Sequence, residues 1–365
     1  EGYTDRTCKI LGIKNQFNKS KLNNYFNQIQ FQYSNVRFAR KYKKHIKNSK
    51  YIHLVLNTQL SHFEGENKVV TNAVCISRNL TKKIQSKYFI LSCGGIENSR
   101  ILLWAREQNK KLFHKNLPIG QYWMNHPWII AGIGLINKRE LKKKINNNFI
   151  DYDGPLHFAA KKELLNDKKI LSAAIYMNAK EDTKFYKEII KDILCVAPEY
   201  GKKIARTVFK KDLKCGNIFM NLEEPPDQNN KITLDSSAKD IFGIPRVNLY
   251  YKKSKETLFT AKVFLEEFGN FCRNEDIGRI ALKENIYNLQ GFETIDNYHH
   301  LGGTRIGNNI NTSVVDKNLK IHSVNNLYVN GSSNFVTGGY TNPTYTIVQL
   351  SLRLADHLAN VKDLS

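Results

Sequence analysis

The sequence predicts a mixed α/β fold, of the α/β or α+β type, and three observations carry that reading. Strand-like apolar runs alternate with helical patterns along the chain. One run ends in a glycine pair that leads straight into a helix, and a C-terminal helix follows another glycine pair. At 365 residues the chain exceeds the roughly 150 residues of an average domain, so two domains or one large one are expected.

Taken in order, the first strands are residues 51–56 (YIHLVL) and 69–76, with Gly65-Glu66-Asn67 as the turn between them. A third run, 88–93, stops at Gly94-Gly95. Residues 96–107 then read as a helix that turns Ile96, Ser99, Leu102 and Leu103 toward a core. A strand, a glycine turn and a helix in that order place a helix N-terminus beside a ligand in many α/β folds. Residues 120–127 read as a loop and 128–136 as a buried strand, while the Lys- and Asn-rich stretch 138–166 reads as peripheral. Pro225-Pro226-Asp227 marks a loop, Lys231 begins a strand, and 242–245 turns into another at 246–251. Residues 255–271 carry Leu258, Ala261, Phe264 and Phe268 at helical spacing. Residues 326–329 form a short buried strand ending at Asn330-Gly331-Ser332-Ser333. Asn342 caps the last helix, with Pro343 at its first position and Ile347, Leu350, Leu354 and Leu358 on the inner face.

Composition narrows the function classes. Hydrophobic residues at 41% and aromatics at 11% describe a globular chain. The net charge of +23 comes mostly from lysines scattered along the whole length. No zinc-finger spacing, RNA-binding aromatic signature or basic heptad accompanies it, so a solvated basic surface is expected and no nucleic-acid partner. No run approaches the roughly 18 apolar residues of a membrane span. The first residue is Glu1, without a signal-like segment behind it, and an incomplete start is expected. Cys8, Cys75, Cys93, Cys195, Cys215 and Cys272 form no CxxC pair, so no metal site is expected. Cys75 and Cys93 fall inside apolar runs and are expected buried and reduced, which favours the cytoplasm, with the periplasm as the alternative.

The chemistry concentrates near the C-terminus. His299 and His300 precede Gly302-Gly303-Thr304, where glycines let a substrate or ring lie against the backbone. Adjacent extended residues point to opposite sides, so at most one of the two histidines faces a given site. Gly338-Gly339 precede the last helix, whose positive end can serve an electron-rich group. The G-x-G-x-x-G dinucleotide fingerprint is absent: Gly132-Ile133-Gly134 lacks its third glycine, and Gly302-Gly303 with Gly307 follows histidines instead of a strand.

The ordered set HHLGGTRIG, SVVD, NLYV, GSS, TNPTYTI and ADHL closely resembles the C-terminal domain of the glucose–methanol–choline (GMC) oxidoreductase family. The 89–103 strand-to-glycine turn and the 119–127 loop, with Asn125 where the family usually has Asp, extend the resemblance. So does the 231–245 segment, and it covers about Tyr51 to His357. It implies part of a FAD-binding domain with an inserted substrate domain, built on an antiparallel sheet flanked by helices. The implied boundaries are 1–120 for the FAD-binding part without its glycine motif, 121–290 for the substrate domain and 291–365 for the catalytic return. It also implies FAD as cofactor and a small alcohol or sugar as substrate, nearer the sugar-oxidising and choline-like branches. By position in the motifs it makes His300 the general base and Asn342 its partner, with His299 a packing or supporting group. Gly94, Gly95, Gly331, Ser332, Pro343, Thr344 and, more weakly, Leu60 fall where the family contacts FAD. His126 is expected to serve loop packing. The alternative expectation is a truncated or inactive module of this kind that cannot bind FAD by itself.

Overall fold

The computed structural model describes residues 2–17, 19–78, 80–136, 156–177, 216–295 and 298–361, with 141, 193, 197, 200 and 203 between them. Most of the stretch expected to be peripheral, 138–166, lies outside the described residues, as do Cys195 and Cys215. The first third contains helix α1 (Tyr3–Leu11), strands β1 (Lys19–Lys21) and β2 (Phe26–Ile29), and helix α2 (Phe38–Asn48). Strands β3 (Gln59–Glu66), β4 (Val69–Ser77), β5 (Leu80–Ile84) and β6 (Phe89–Leu91) lead to helix α3 (Glu97–Gln108). Strands β7 (Trp128–Ile136) and β8 (Leu156–Ala160), helix α4 (Lys162–Lys168) and strands β9 (Ala173–Met177) and β10 (Gly216–Leu222) follow. The hairpin β11 (Lys231–Lys239) and β12 (Pro245–Tyr250) precedes the long helix α5 (Lys255–Asn274) and β13 (Gly278–Leu282). A short helix α6 (Glu284–Tyr287), strand β14 (Leu327–Val329) and helix α7 (Thr344–Asn360) complete the order.

Two cores organise these elements. The first lies between α5 and a seven-stranded antiparallel sheet of order β1-β2-β8-β9-β10-β7-β13. Alternation along the strands sends Ile129, Ala131, Ile175, Met177, Ile218 and Met220 into this core. Phe26 packs edge-on against Phe264 and Phe268 of α5, with ring centroids 5.1 Å apart in each case. Ser254 caps α5 by accepting from the Glu256 amide, as its residue type favours. β1 and β2 come from the first thirty residues yet complete this sheet, which therefore draws on both sides of residue 120.

The second core gathers α3, α7, the β3-β4-β5 sheet and the parallel β6–β14 pair. The expected helix after Gly94-Gly95 is present, with Asn98 to Leu103 buried. Arg100 leaves α3 to reach the β11–β12 turn, donating from Nε to the Pro245 carbonyl at 2.7 Å and from Nη2 to Asp240 Oδ2 at 2.6 Å. The Asn326 side chain pairs with both the amide and the carbonyl of Val70 at 2.8 Å, so a side chain substitutes for a strand neighbour. Among the described residues no helix is long and apolar enough to cross a membrane.

Several local expectations are corrected. Residues 51–56 pair with no strand, and Tyr51 is 94% exposed, because the described fold offers this apolar run no neighbour. The hairpin between β3 and β4 turns at Asn67 and Lys68, both with positive φ, while Gly65 sits at a register shift inside β3. Cys93 is exposed, since β6 ends two residues earlier. The last helix begins at Thr344 with Pro343 at its N-cap, and no side chain caps it, so Asn342 does not play the capping role.

Phe264→Ala, at a fully buried position wedged against Phe26, should cost about 3–5 kcal/mol in equilibrium unfolding. The opposite face of the large sheet carries a row of rings in which His157 lies between Phe31, at 4.8 Å, and Tyr176, at 5.4 Å. Burial pushes the His157 imidazole down to about 4. The unfolded chain then binds the extra proton first, so this contribution is complete above about pH 6.5 and lost as pH falls toward 4. Urea denaturation should show a loss on the order of 3 kcal/mol from this group across that window. The His157→Phe variant should show a correspondingly flatter acid limb.

Candidate active site

Three remote segments meet through their main chains and enclose the histidine pair. Leu301 exchanges amide–carbonyl bonds with Met124 at 2.9 and 3.0 Å, which fixes the 120–127 loop against the histidines. On the other side Gly302, Thr304 and Ile306 donate to the carbonyls of Ser332, Ser333 and Asn334 at 3.0–3.1 Å. Gly120 donates to the Gly303 carbonyl at 2.7 Å and closes the weave. Gly302 is required here by conformation and space: its φ is +73°, and a Cβ would overlap the Tyr122 carbonyl oxygen. The buried side chains of Thr304, Ser333 and Asn334 bond to one another beneath, with Thr304 Oγ1 2.7 Å from Ser333 Oγ and 2.9 Å from Asn334 Oδ1.

His300 is held at its backbone and free at its ring. Its carbonyl accepts a 2.7 Å hydrogen bond from Ser332 Oγ. Gly95 presses against the same residue, and any Cβ there would overlap the His300 carbonyl oxygen and Cβ. The imidazole is half-buried and lies 5.6 Å from the Trp123 ring at a shallow 32° angle. Its Nδ1 is buried without a hydrogen-bond partner. Burial lowers its pKa from the ordinary histidine value, so the ring is neutral at pH 7 and has a lone pair to offer.

His299 turns elsewhere, as adjacent residues should. Its Nδ1 meets Nδ1 of His126 at 3.1 Å, a pairing in which one ring donates and the other accepts. His126 is itself buried, and desolvation together with His299 pushes it down to about 4, against a weaker opposite pull from main-chain groups of Tyr340 and Gly339. The expected packing role of His126 is thus a join between the 120–127 loop, His299 and the segment that leads to α7. Behind Trp123, Tyr251 packs edge-on at 5.2 Å and donates its hydroxyl to Glu224 Oε1 at 2.8 Å. Glu224 is fully buried, accepts the Asn125 amide on Oε2 at 3.1 Å, and has its carboxyl raised by that burial.

The structure brings together some of the residues singled out in the sequence and separates others. Gly95, His300 and Ser332 touch directly. Gly94 has a φ of +98° and open space where a side chain would be. Asn98 ties its neighbour Cys93 to the Asn330 carbonyl and Ser333, so the glycine turn and the end of β14 lie side by side. Gly331, with φ +134°, sits at that junction. Asn342 and Thr344 are exposed and Pro343 is buried at the start of α7. The preceding Gly338 abuts the Leu301 side chain, which links this start to the histidines. Leu60 lies apart, in β3, with its side chain against the second core. Trp123, Tyr251 and Glu224 escaped sequence reading. Trp123 stands inside the recognised 119–127 loop, but nothing in the sequence joins Glu224 or Tyr251 to it.

Residues 226–351 match the family model described as GMC oxidoreductase. These residues are similar to the C-terminal part of the GMC oxidoreductases. Among curated proteins it is 24% identical over 309 residues to the fructose dehydrogenase large subunit of Gluconobacter japonicus, covering 81% of this chain and 52% of that one. It is 27% identical over 284 residues to the 2-methyl-1,2-propanediol dehydrogenase of Mycolicibacterium austroafricanum, covering 76% of this chain and 48% of the relative. The chain thus spans about half the length of the curated relatives it matches. In fold it is similar to pyridoxine 4-oxidase from Mesorbium loti, with a TM-score of 0.59 at 11% identity over 93% of this chain and 65% of that one. A formate oxidase gives a TM-score of 0.53 at 13% identity, over 85% and 61%. The fold class expected from the sequence, mixed α/β with an antiparallel sheet and flanking helices, agrees with the observed architecture and with the fold of these neighbours.

Because burial beside Trp123 depresses His300, its ring proton resonance should titrate below the ordinary value of about 6.5. In Trp123→Ala the midpoint should move up toward that value. An unchanged midpoint would assign the shift to other neighbours.

Proposed function

We propose that this chain is the catalytic part of a FAD-dependent oxidoreductase that oxidises an alcohol group of a small alcohol or sugar, with His300 as general base. The single observation that carries the reading is the neutral, half-buried His300 ring, whose main chain is clamped by Ser332 and Gly95 and whose Nδ1 has no partner. FAD, when bound, supplies the hydride acceptor. The residues present suit one side of such a group. Gly94 and Gly339 leave open space at positive φ, and a buried ring nitrogen awaits a polar neighbour. Gly94, Gly95, Gly331, Ser332, Pro343 and Thr344 would hold it, with Leu60 toward its far end.

In this reading His300 takes the hydroxyl proton of the substrate, which its depressed pKa allows at neutral pH. Asn342 cannot accept a proton, but its amide can hold the substrate oxygen in line. Trp123 keeps the imidazole in one orientation and sheds water from one of its faces. The start of α7 directs its positive end toward developing negative charge. Residues 1–120 and 291–365 form the FAD-facing part and 121–290 the part that receives substrate, except that β1 and β2 cross over to complete the latter's sheet. The cellular setting is cytoplasmic. A second reading is favoured by one observation, the missing G-x-G-x-x-G motif: the chain is a truncated or inactive module of this kind that does not bind FAD by itself.

The FAD-loaded protein should be yellow and should bleach anaerobically with a suitable alcohol. His300→Ala should slow that bleaching by at least about 10²-fold while flavin remains bound. Undiminished bleaching would refute the role of His300. For the wild type, turnover should fall as pH drops through the depressed His300 pKa, because the protonated ring no longer accepts a proton.

A further inference from the structure

Glu224 is the only buried carboxylate among the described residues, and the proton chemistry proposed for His300 makes no use of it. A carboxylate out of water is costly unless donors surround it. Tyr251 donates its hydroxyl to Oε1 at 2.8 Å, and the Asn125 amide donates to Oε2 at 3.1 Å. Burial raises the carboxyl above its ordinary value, and these two donors with the Ser254 amide pull it back. Ser254 is the N-cap of the 20-residue helix α5, so the positive end of that helix stands where a cation would. Lys253 helps only at a distance, because its ammonium goes to the Phe292 carbonyl at 2.7 Å.

Two of these donors lead to Trp123. Tyr251 packs its ring edge-on against the indole at 5.2 Å, and Asn125 stands two residues further along the same loop. The indole lies in turn 5.6 Å from the His300 ring. At 2% exposure it shifts only if what packs behind it shifts. Glu224 therefore grips the indole twice, from behind through a ring and along the chain through an amide. The residue type matters as well. Backbone amides only donate and a carboxylate only accepts, so Glu suits this position and Gln of the same size does not. A Gln amide would turn its own N–H groups on the Asn125 and Ser254 amides and leave a donor desolvated.

We infer that Glu224 is a positioning residue, which through Tyr251 and Asn125 holds the Trp123 indole against the His300 imidazole and so sets how deeply that imidazole is buried. It acts through Trp123 and not on the reacting atoms. A carboxylate beside the N-terminus of α5 thereby couples the helix that covers the large sheet to the ring that faces the chemistry. The inference rests on the proposed activity for what the imidazole does, but not for how it is held.

The His300 ring-proton resonances of the purified protein, followed against pH, test this without any turnover. In Glu224→Gln the midpoint should rise toward the ordinary histidine value, in the same direction as in Trp123→Ala. Tyr251→Phe keeps a ring against the indole and removes only the hydroxyl, so it should give a smaller rise. In a Trp123→Ala background neither substitution should move the midpoint further, because the group they act through is gone. In the FAD-loaded enzyme Glu224→Gln should lower kcat by about 10- to 100-fold and change KM far less. A midpoint unmoved by both variants, or moved equally with and without Trp123, would overturn the inference. If Glu224→Gln does not fold, Tyr251→Phe decides by the same comparison. A midpoint that moves as stated, in a protein whose flavin no alcohol bleaches, would sink the proposed activity and leave the positioning role standing.

Discussion

Everything at the candidate site depends on the main-chain weave that joins residues 120–124, 300–306 and 331–334. Its hydrogen bonds use peptide groups, so they fix positions without consuming the side chains that carry chemistry. The Leu301–Met124 exchange places Trp123 over His300, and the Gly302–Ser332 bond brings the Ser332 hydroxyl to the His300 carbonyl. A histidine fixed through its backbone keeps its ring nitrogens available. Glycine at 302 and 95 is what lets three chains approach this closely.

The surroundings also set the protonation state of that ring. Burial beside Trp123 depresses His300, so its imidazole is neutral at physiological pH. The adjacent His299 is withdrawn into a pair with His126, which leaves the His300 imidazole beside Trp123. Glu224, buried and bonded to Tyr251 and the Asn125 amide, anchors the loop that carries both Trp123 and His126. Breaking such a buried acceptor network costs more than its bonds are worth, because the remaining donors stay desolvated. The site is therefore braced from the large-sheet side as well as from the β14 side.

The two cores meet at this site but are built differently. The α5-covered sheet is antiparallel, stapled by Phe26 and complete among the described residues, including its two N-terminal strands. The second core ends in exposed apolar chain at 51–56 and a bare face on β6. The large sheet is thus closed, while the second core leaves apolar chain at its surface.

Local chemistry was written in the sequence. The helices at α3 and α5, the strand at β7 and the glycine-to-helix turn at 94–97 follow from periodicity and turn residues, which act over a few neighbours. The family motifs likewise marked His300 before any geometry was known. Other features required the tertiary structure. Residues 51–56 have every property of a strand, but a strand needs a partner, and sequence cannot say whether one is present. The division of labour between His299 and His300 arises from His126 and Trp123, more than 170 residues away along the chain. Glu224 and Tyr251 joined the site for the same reason. Their roles come from burial and from contacts across the fold, which local pattern does not encode.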